Sequence, residues 1–223
     1  ASDVYKRQAK DVAAEFINGR PNDNIGITLF AGETFTQCPL TVDHAVLLDM
    51  IHNIKCGLIT DGTAVGMGIA NAVTRLKDSK AKSKVIILLT DGTNNKGDIS
   101  PMTAAEIAKS FGIRVYTIGV GTNGMAPYPY PVGNTVQYVS MPVEIDEKTL
   151  TEIAGTTDGN YFRATSNSKL KEVYEEIDKL EKTKLNVKEY SKRDEEYHWF
   201  ALAAFLCVLL EVLLRNSVLK KIP

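Results

Sequence analysis

The stretch KVIILLT, Lys84 to Thr90, is apolar at consecutive positions rather than at every second one. A strand of that kind leaves water only when both of its faces are covered, the condition of an inner parallel strand flanked by helices. The neighbouring sequence supplies the covers. Ala9, Val12, Ala13, Phe16 and Ile17 share one helical face, and Gly19 with Pro21 ends that helix. Leu47, Met50, Ile51 and Ile54 form a second stripe that stops near Gly57, and Val65, Ile69, Val73 and Leu76 a third. SPMTAAEIAKSFG carries a complete set of helix signals: Ser100 as N-cap, Pro101 at the first helical position and Gly112 just past the end. Asp146 starts a short helix through Ala154, and Leu170, Val173, Tyr174, Ile177 and Leu180 line a last amphipathic one.

Strand patterns fall between these helices: IGITLFAG at 25–32, TQCPLT at 36–41, IRVYTIGVG at 113–121 and NYFRAT at 160–165. The alternation predicts an α/β domain over 9–182, with a doubly wound, mostly parallel sheet and helices on both faces. Residues 121–142, rich in Pro, Gly and Tyr, read as a surface insertion, either a loop or a small hairpin. From 183 to 196 charge dominates, as in a solvated linker. In such sheets ligands gather outside the carboxyl ends of the strands, and Asp91 stands at one of those ends.

At 223 residues one globular unit with appendages is expected. Lys plus Arg total 26 against 27 Asp plus Glu, a net charge of −1 that removes the broad electrostatic reason to expect a nucleic-acid partner. Cys38, Cys56 and Cys207 lack metal or disulfide spacing and read as buried free thiols. Near the C-terminus, twelve consecutive apolar residues run from Trp199 to Leu210, followed by Glu211 and three more. The run is shorter than the ~20 residues that span a bilayer. Glu211 and Arg215 are nevertheless spaced to pair, Tyr197 and Trp199 suit one interface, and Arg215, Lys220 and Lys221 suit the other. A transmembrane helix over 197–216 with a basic cytoplasmic tail at 217–223 is therefore expected, with a buried core helix as the alternative.

Three polar loops could carry chemistry: TDGT at 60–63, TDGT at 90–93 and NKGD at 95–98. Hard oxygens at the top of a sheet suit Mg²⁺, yet Asp-Gly is also ordinary turn punctuation, so on spacing alone Asp61 and Asp91 read first as turn residues. GVGTNG at 119–124 matches a dinucleotide fingerprint in letters only, because Pro127, Pro129 and Pro131 exclude the helix that the phosphates would need. No nucleophile elbow or Walker loop occurs, and His44, His52 and His198 suit surface positions. No enzyme is expected.

The ordered motifs IGITLFAG, TQCPLT, DGTAVGMGIANAV, VIILLTDG and FGIRVYTIGVG resemble a von Willebrand factor type A domain over residues 9–182. With the Pro/Tyr insertion, MPVEIDEKTLTEIA and the apolar C-terminal segment, the chain is most similar to the BatA-type aerotolerance membrane proteins of bacteria. The resemblance implies a metal-ion-dependent adhesion site built from a D-x-S-x-S loop, a Thr and an Asp, holding Mg²⁺ (or Mn²⁺). Thr63 matches the Thr and Asp91 the last acid. The D-x-S-x-S loop has no counterpart, since Asp3 lacks serines at the required spacing.

The resemblance thus implies an N-terminally truncated member. Residues 1–8 lie outside the family pattern, the first central strand is missing, and two half-sheets should be left poorly joined. The implied function is divalent-cation-dependent protein binding, in which a partner's carboxylate completes the metal shell, and the implied setting is a bacterial stress or aerotolerance system containing other membrane proteins. The implied location is the bacterial inner membrane with the domain on the periplasmic side. A structural or interaction domain that binds no metal, and less directly a metal-dependent hydrolase, are the alternatives.

Overall fold

The computed structural model describes residues 2–54, 60–121, 124–132, 135–143, 145–190 and 197–217. The expected helix stop near Gly57, Cys56, residues 191–196 of the linker, and Lys220 and Lys221 of the tail lie outside them. Contacts divide the chain into residues 1–181 and 182–223.

The first unit opens with α1 (Ser2–Asn18), which runs through the expected boundary at residue 8 and contains Asp3. Next come β1 (Ile25–Phe30) and β2 (Thr34–Thr41), α2 (His44–His52), α3 (Val65–Leu76), β3 (Val85–Thr90), α4 (Pro101–Ser110) and β4 (Arg114–Val120). The insertion is a hairpin, β5 (Gly124–Val132) and β6 (Thr135–Val143), paired antiparallel along its whole length. Pro127, Pro129 and Pro131 occupy alternate positions of β5, so the N–H groups they lack belong to one edge of the strand and the other edge remains able to pair. After α5 (Glu147–Thr156) and β7 (Tyr161–Ala164), α6 (Asn167–Tyr190) carries helix through 183–190, where sequence predicts a linker.

The predicted caps are present. Ser100 Oγ accepts from the Thr103 N–H at 3.1 Å, and Asp146 Oδ1 from the Thr149 N–H at 3.0 Å. Gly112 has φ +65°, a left-handed conformation that a Cβ would disfavour.

β3, β4 and β7 form a parallel sheet in the order β3-β4-β7. Because side chains alternate across a strand, this sheet feeds two cores. Ile86, Leu88 and Val115 pack with α3, α4 and α5 on one face. Val85, Ile87, Leu89, Tyr116 and Ile118 pack with α6 and α1 on the other. KVIILLT is thus the doubly covered strand its composition predicts. Phe16 of α1 meets Tyr174 of α6 with ring centroids 4.6 Å apart, and Arg20 lies over the Phe16 ring.

β1 and β2 form a separate antiparallel sheet with its own small core of Ile17, Cys38, Leu47 and Ile51. Among the described residues no strand pairs β1 with β3, so β1-β2 and β3-β4-β7 are separate sheets. α3 touches β1, β2 and β3, and α1 likewise contributes to both cores, through Val12 and Phe16 to one and Ile17 to the other.

At the N-terminal ends of β3 and β4 a polar cluster is buried. Glu181, 5% exposed, accepts from Arg114 Nε at 2.9 Å, Tyr116 Oη at 2.6 Å and Ser83 Oγ at 2.8 Å, with a further bond from Arg114 Nη2. Burial raises the Glu181 carboxyl, but the bonds from Arg114, Tyr116 and Ser83 outweigh it and hold the group below its ordinary value.

The second unit contains α7 (Tyr197–Ser217). It occupies the segment expected to cross a membrane, but among the described residues no helix is long and apolar enough to do so. Leu202, Phe205, Leu206, Val208, Leu210 and Val212 of α7 are all exposed, so it is not a buried core helix. Of the cysteines, Cys38 is buried as expected, whereas Cys207 is exposed.

Candidate functional site

Three loops meet beyond the carboxyl ends of β1 and β3. The Gly32 N–H donates to the Thr60 carbonyl at 2.8 Å and the Ala64 N–H to the Ala31 carbonyl at 2.7 Å, tying the end of β1 to the 60–64 loop. The 60–64 loop is tied in turn to the loop after β3. The Thr63 N–H donates to Asn95 Oδ1 at 2.9 Å, while the Asn95 N–H returns a bond to the Thr63 carbonyl at 3.0 Å. Thr63 is therefore held on both sides of its peptide unit by one asparagine.

Asn94 performs a different task. α3 begins after Ala64, which has no side chain able to cap a helix, so one of its first N–H groups needs an acceptor from elsewhere. Asn94 Oδ1 supplies it to the Val65 N–H at 2.9 Å. The approach is close: a Cβ on Gly66 would collide with the Ile99 carbonyl oxygen, so only glycine lets the first turn of α3 lie against this loop. At the base of the loop, Thr90 Oγ1 accepts from the Gly92 N–H at 3.3 Å.

The two residues singled out by sequence come together in this assembly. A Cβ built on Gly92 would stand 3.2 Å from Thr63 Oγ1, which places the Thr63 hydroxyl against the residue that follows Asp91. Asp91 is exposed and Thr63 half-buried. Among the described residues, neither the Thr63 hydroxyl nor the Asp91 carboxylate has a hydrogen-bond or ion-pair partner. Asp61 and Asp98 are exposed on the same loops.

Two partnerless hard oxygens on adjacent loops are the donor chemistry that Mg²⁺ or Mn²⁺ takes. They fill only part of an octahedral shell. No group of three or more His, Cys, Asp or Glu able to hold a metal occurs among the described residues, and Asp3, in α1, does not supply a loop acid after a strand. The residues present fit such an ion as half of a site. The GVGTNG stretch, by contrast, leads from β4 into the strand β5, so no helix N-terminus faces it.

Sequence reasoning missed Asn94 and Asn95. In a polar loop asparagine reads as turn chemistry. Only the absence of a capping side chain before Val65 hinted that a neighbouring loop must serve.

Residues 3–176 match the model of the von Willebrand factor type A domain. A sequence relative from Borreliella burgdorferi, an uncharacterized protein, is 26% identical over 96% of this chain and 63% of its own length. A UPF0353 protein of Nocardia farcinica is 30% identical over 76% of this chain and 55% of its own length. The chain thus spans less than two thirds of the curated relatives it matches. Among solved structures, an aerotolerance-related membrane protein of Bacteroides fragilis superimposes with TM-score 0.66 and 28% identity, covering 78% of this chain and 86% of that one. BatB of Bacteroides thetaiotaomicron gives 0.67 and 31%, covering 79% and 88%. Proximal thread matrix protein 1 of the mussel byssus, with a zinc-occupied MIDAS motif, gives 0.59 and 25%, covering 78% and 40%.

Proposed function

The chain belongs to the von Willebrand factor type A domain family, and on that premise we propose that it is a membrane-associated module that binds a protein partner through a divalent cation. The observation that carries this reading is the Thr63 hydroxyl lying against Gly92, the residue after Asp91, on loops that Asn94 and Asn95 lock together. A bound Mg²⁺ or Mn²⁺ would supply a Lewis-acidic point for a partner's carboxylate. Thr63 would contribute a direct hydroxyl ligand and Asp91 a carboxylate acting through a bound water, as the resemblance implies. Recognition of an acid at such a point is binding and not turnover.

The similarity to a membrane protein related to aerotolerance and to BatB supports a bacterial membrane setting. The zinc-occupied motif of the byssus protein supports a divalent ion on this fold. The exposed apolar surface of α7 supports membrane association, with the domain on the periplasmic side if the basic tail remains inside.

A second reading, an interaction domain without metal, is favoured by one observation: these 223 residues contain no D-x-S-x-S segment to complete the shell. Thermal unfolding with increasing Mn²⁺ separates the two. An ion held by the native state alone raises the midpoint by mass action, about 1.4 kcal/mol at tenfold excess over its dissociation constant. The expected result is a rise that Thr63→Ala and Asp91→Ala both abolish. A midpoint unchanged at millimolar Mn²⁺ leaves the metal-free reading.

A further inference from the structure

The turn between α3 and β3, RLKDSKAKSK at 75–84, carries Arg75, Lys77, Lys80, Lys82 and Lys84 against the single acid Asp78. Ten residues hold a charge of +4 in a chain whose net charge is −1. Lys77, Lys80 and Lys82 are exposed, while Lys84 caps the end of α3 by donating to the Lys77 carbonyl at 3.0 Å. The turn is anchored, because Ser83 Oγ donates to Glu181 Oε2 at 2.8 Å and the Arg114 N–H to the Lys84 carbonyl at 3.0 Å.

The location of this charge matters. Glu181 is the last residue of the first unit, so the lysine turn touches the end of that unit through Ser83. Sixteen residues further along the chain α7 begins, and its exposed Leu202, Phe205, Leu206, Val208, Leu210 and Val212 require a non-aqueous cover. The candidate metal loops lie at the opposite ends of the same strands, about 20 Å away along the six residues of β3.

We propose that the 75–84 turn docks on the anionic headgroups of a phospholipid bilayer, seating the domain by its departure end with Thr63 and Asp91 directed away from the lipid. The inference rests on the membrane-associated reading and adds to it a surface, a lipid class and an orientation. Lysines near an anionic surface act additively and without specific geometry, and each contributes about fivefold to the partition. The attraction is screened by salt, since the Debye length falls from about 10 Å at 0.1 M to about 3 Å at 1 M.

Sedimentation of the full 223-residue chain with vesicles of phosphatidylcholine alone, and with phosphatidylglycerol added, tests this. The apolar α7 should bind both; the turn should add a share seen only with phosphatidylglycerol and removed by high salt. K77Q/K80Q/K82Q should lower that share on the order of a hundredfold, while K77R/K80R/K82R retains it. Equal binding to the two vesicle types, or loss in the Arg variant, overturns the inference and leaves membrane association standing. Failure to bind either vesicle overturns both, and capture by duplex DNA in preference to phosphatidylglycerol vesicles overturns the lipid assignment.

Discussion

The two ends of the β3–β4 pair use polar residues in opposite ways. At the N-terminal end Glu181 is buried and its carboxylate is saturated by Arg114, Tyr116 and Ser83. At the C-terminal end the backbone is saturated by Asn94 and Asn95, but the Thr63 hydroxyl and the exposed Asp91 carboxylate are left without partners among the described residues. A satisfied buried cluster holds structure, because removing one member strands the others away from water. Solvated oxygens that other residues hold in place contribute little to stability and remain available to a ligand. The loss on mutation should therefore be large at one end and nearly absent at the other.

Glu181→Ala gives the largest expected effect. It removes the carboxylate that Arg114 pairs with in a largely buried place, and should destabilise the domain by about 3–5 kcal/mol in urea unfolding. A loss below ~1 kcal/mol would mean water reaches the cluster and would break the contrast.

The same carboxylate gives a pH signature. Its folded pKa lies below the unfolded value, so its contribution is present above an unfolded pKa of about 4.3 and disappears as pH falls through the lower folded value. Acid unfolding of the wild type should steepen below about pH 4.3, and E181Q, with no proton to gain, should show a shallower dependence there. Parallel curves for the two proteins would assign the acid sensitivity to other groups.

An intermediate effect is expected from the loop lock. Asn94→Ala removes the cap of α3 and should cost about 1 kcal/mol, and Asn95→Ala a similar amount through its bond to Thr63. Hydrogen exchange should quicken at the Val65 amide in the first variant and at the Thr63 amide in the second. Exchange unchanged in both would show that the loops hold together without these side chains.

Smallest of all should be Thr63→Ala and Asp91→Ala without metal, each within about 0.5 kcal/mol of wild type. Their effect should emerge only as a lost response to Mn²⁺. A large metal-free destabilisation from Asp91→Ala would make it a structural turn residue.

Most helices were legible because their signals are local. Ser100, Pro101 and Gly112 mark the ends of α4 by their own backbone chemistry, and the stripe of Val65, Ile69 and Val73 needs no knowledge of its neighbours. The doubly covered β3 was legible for the same reason. Thr63 and Asp91 were identifiable as candidates only through the resemblance, since Asp-Gly alone describes a turn. The end of α6 was not legible: the charged stretch from residue 183 reads as a solvated linker, yet helix continues to Tyr190.

Sequence alone therefore determined most of the elements, their alternation and the lack of a D-x-S-x-S segment in these residues. Those properties depend on residues near one another in the chain, or on residues that are absent from it. Tertiary structure alone decided that Asn95 grips Thr63, that Asn94 caps a helix it does not belong to, and that Glu181 closes one end of the sheet. Each depends on groups distant in sequence becoming neighbours: Asn95 lies 32 residues from Thr63, and Glu181 lies 67 from Arg114. Burial and hydrogen-bond satisfaction belong to the assembled surroundings of a residue, and periodicity along the chain does not encode them.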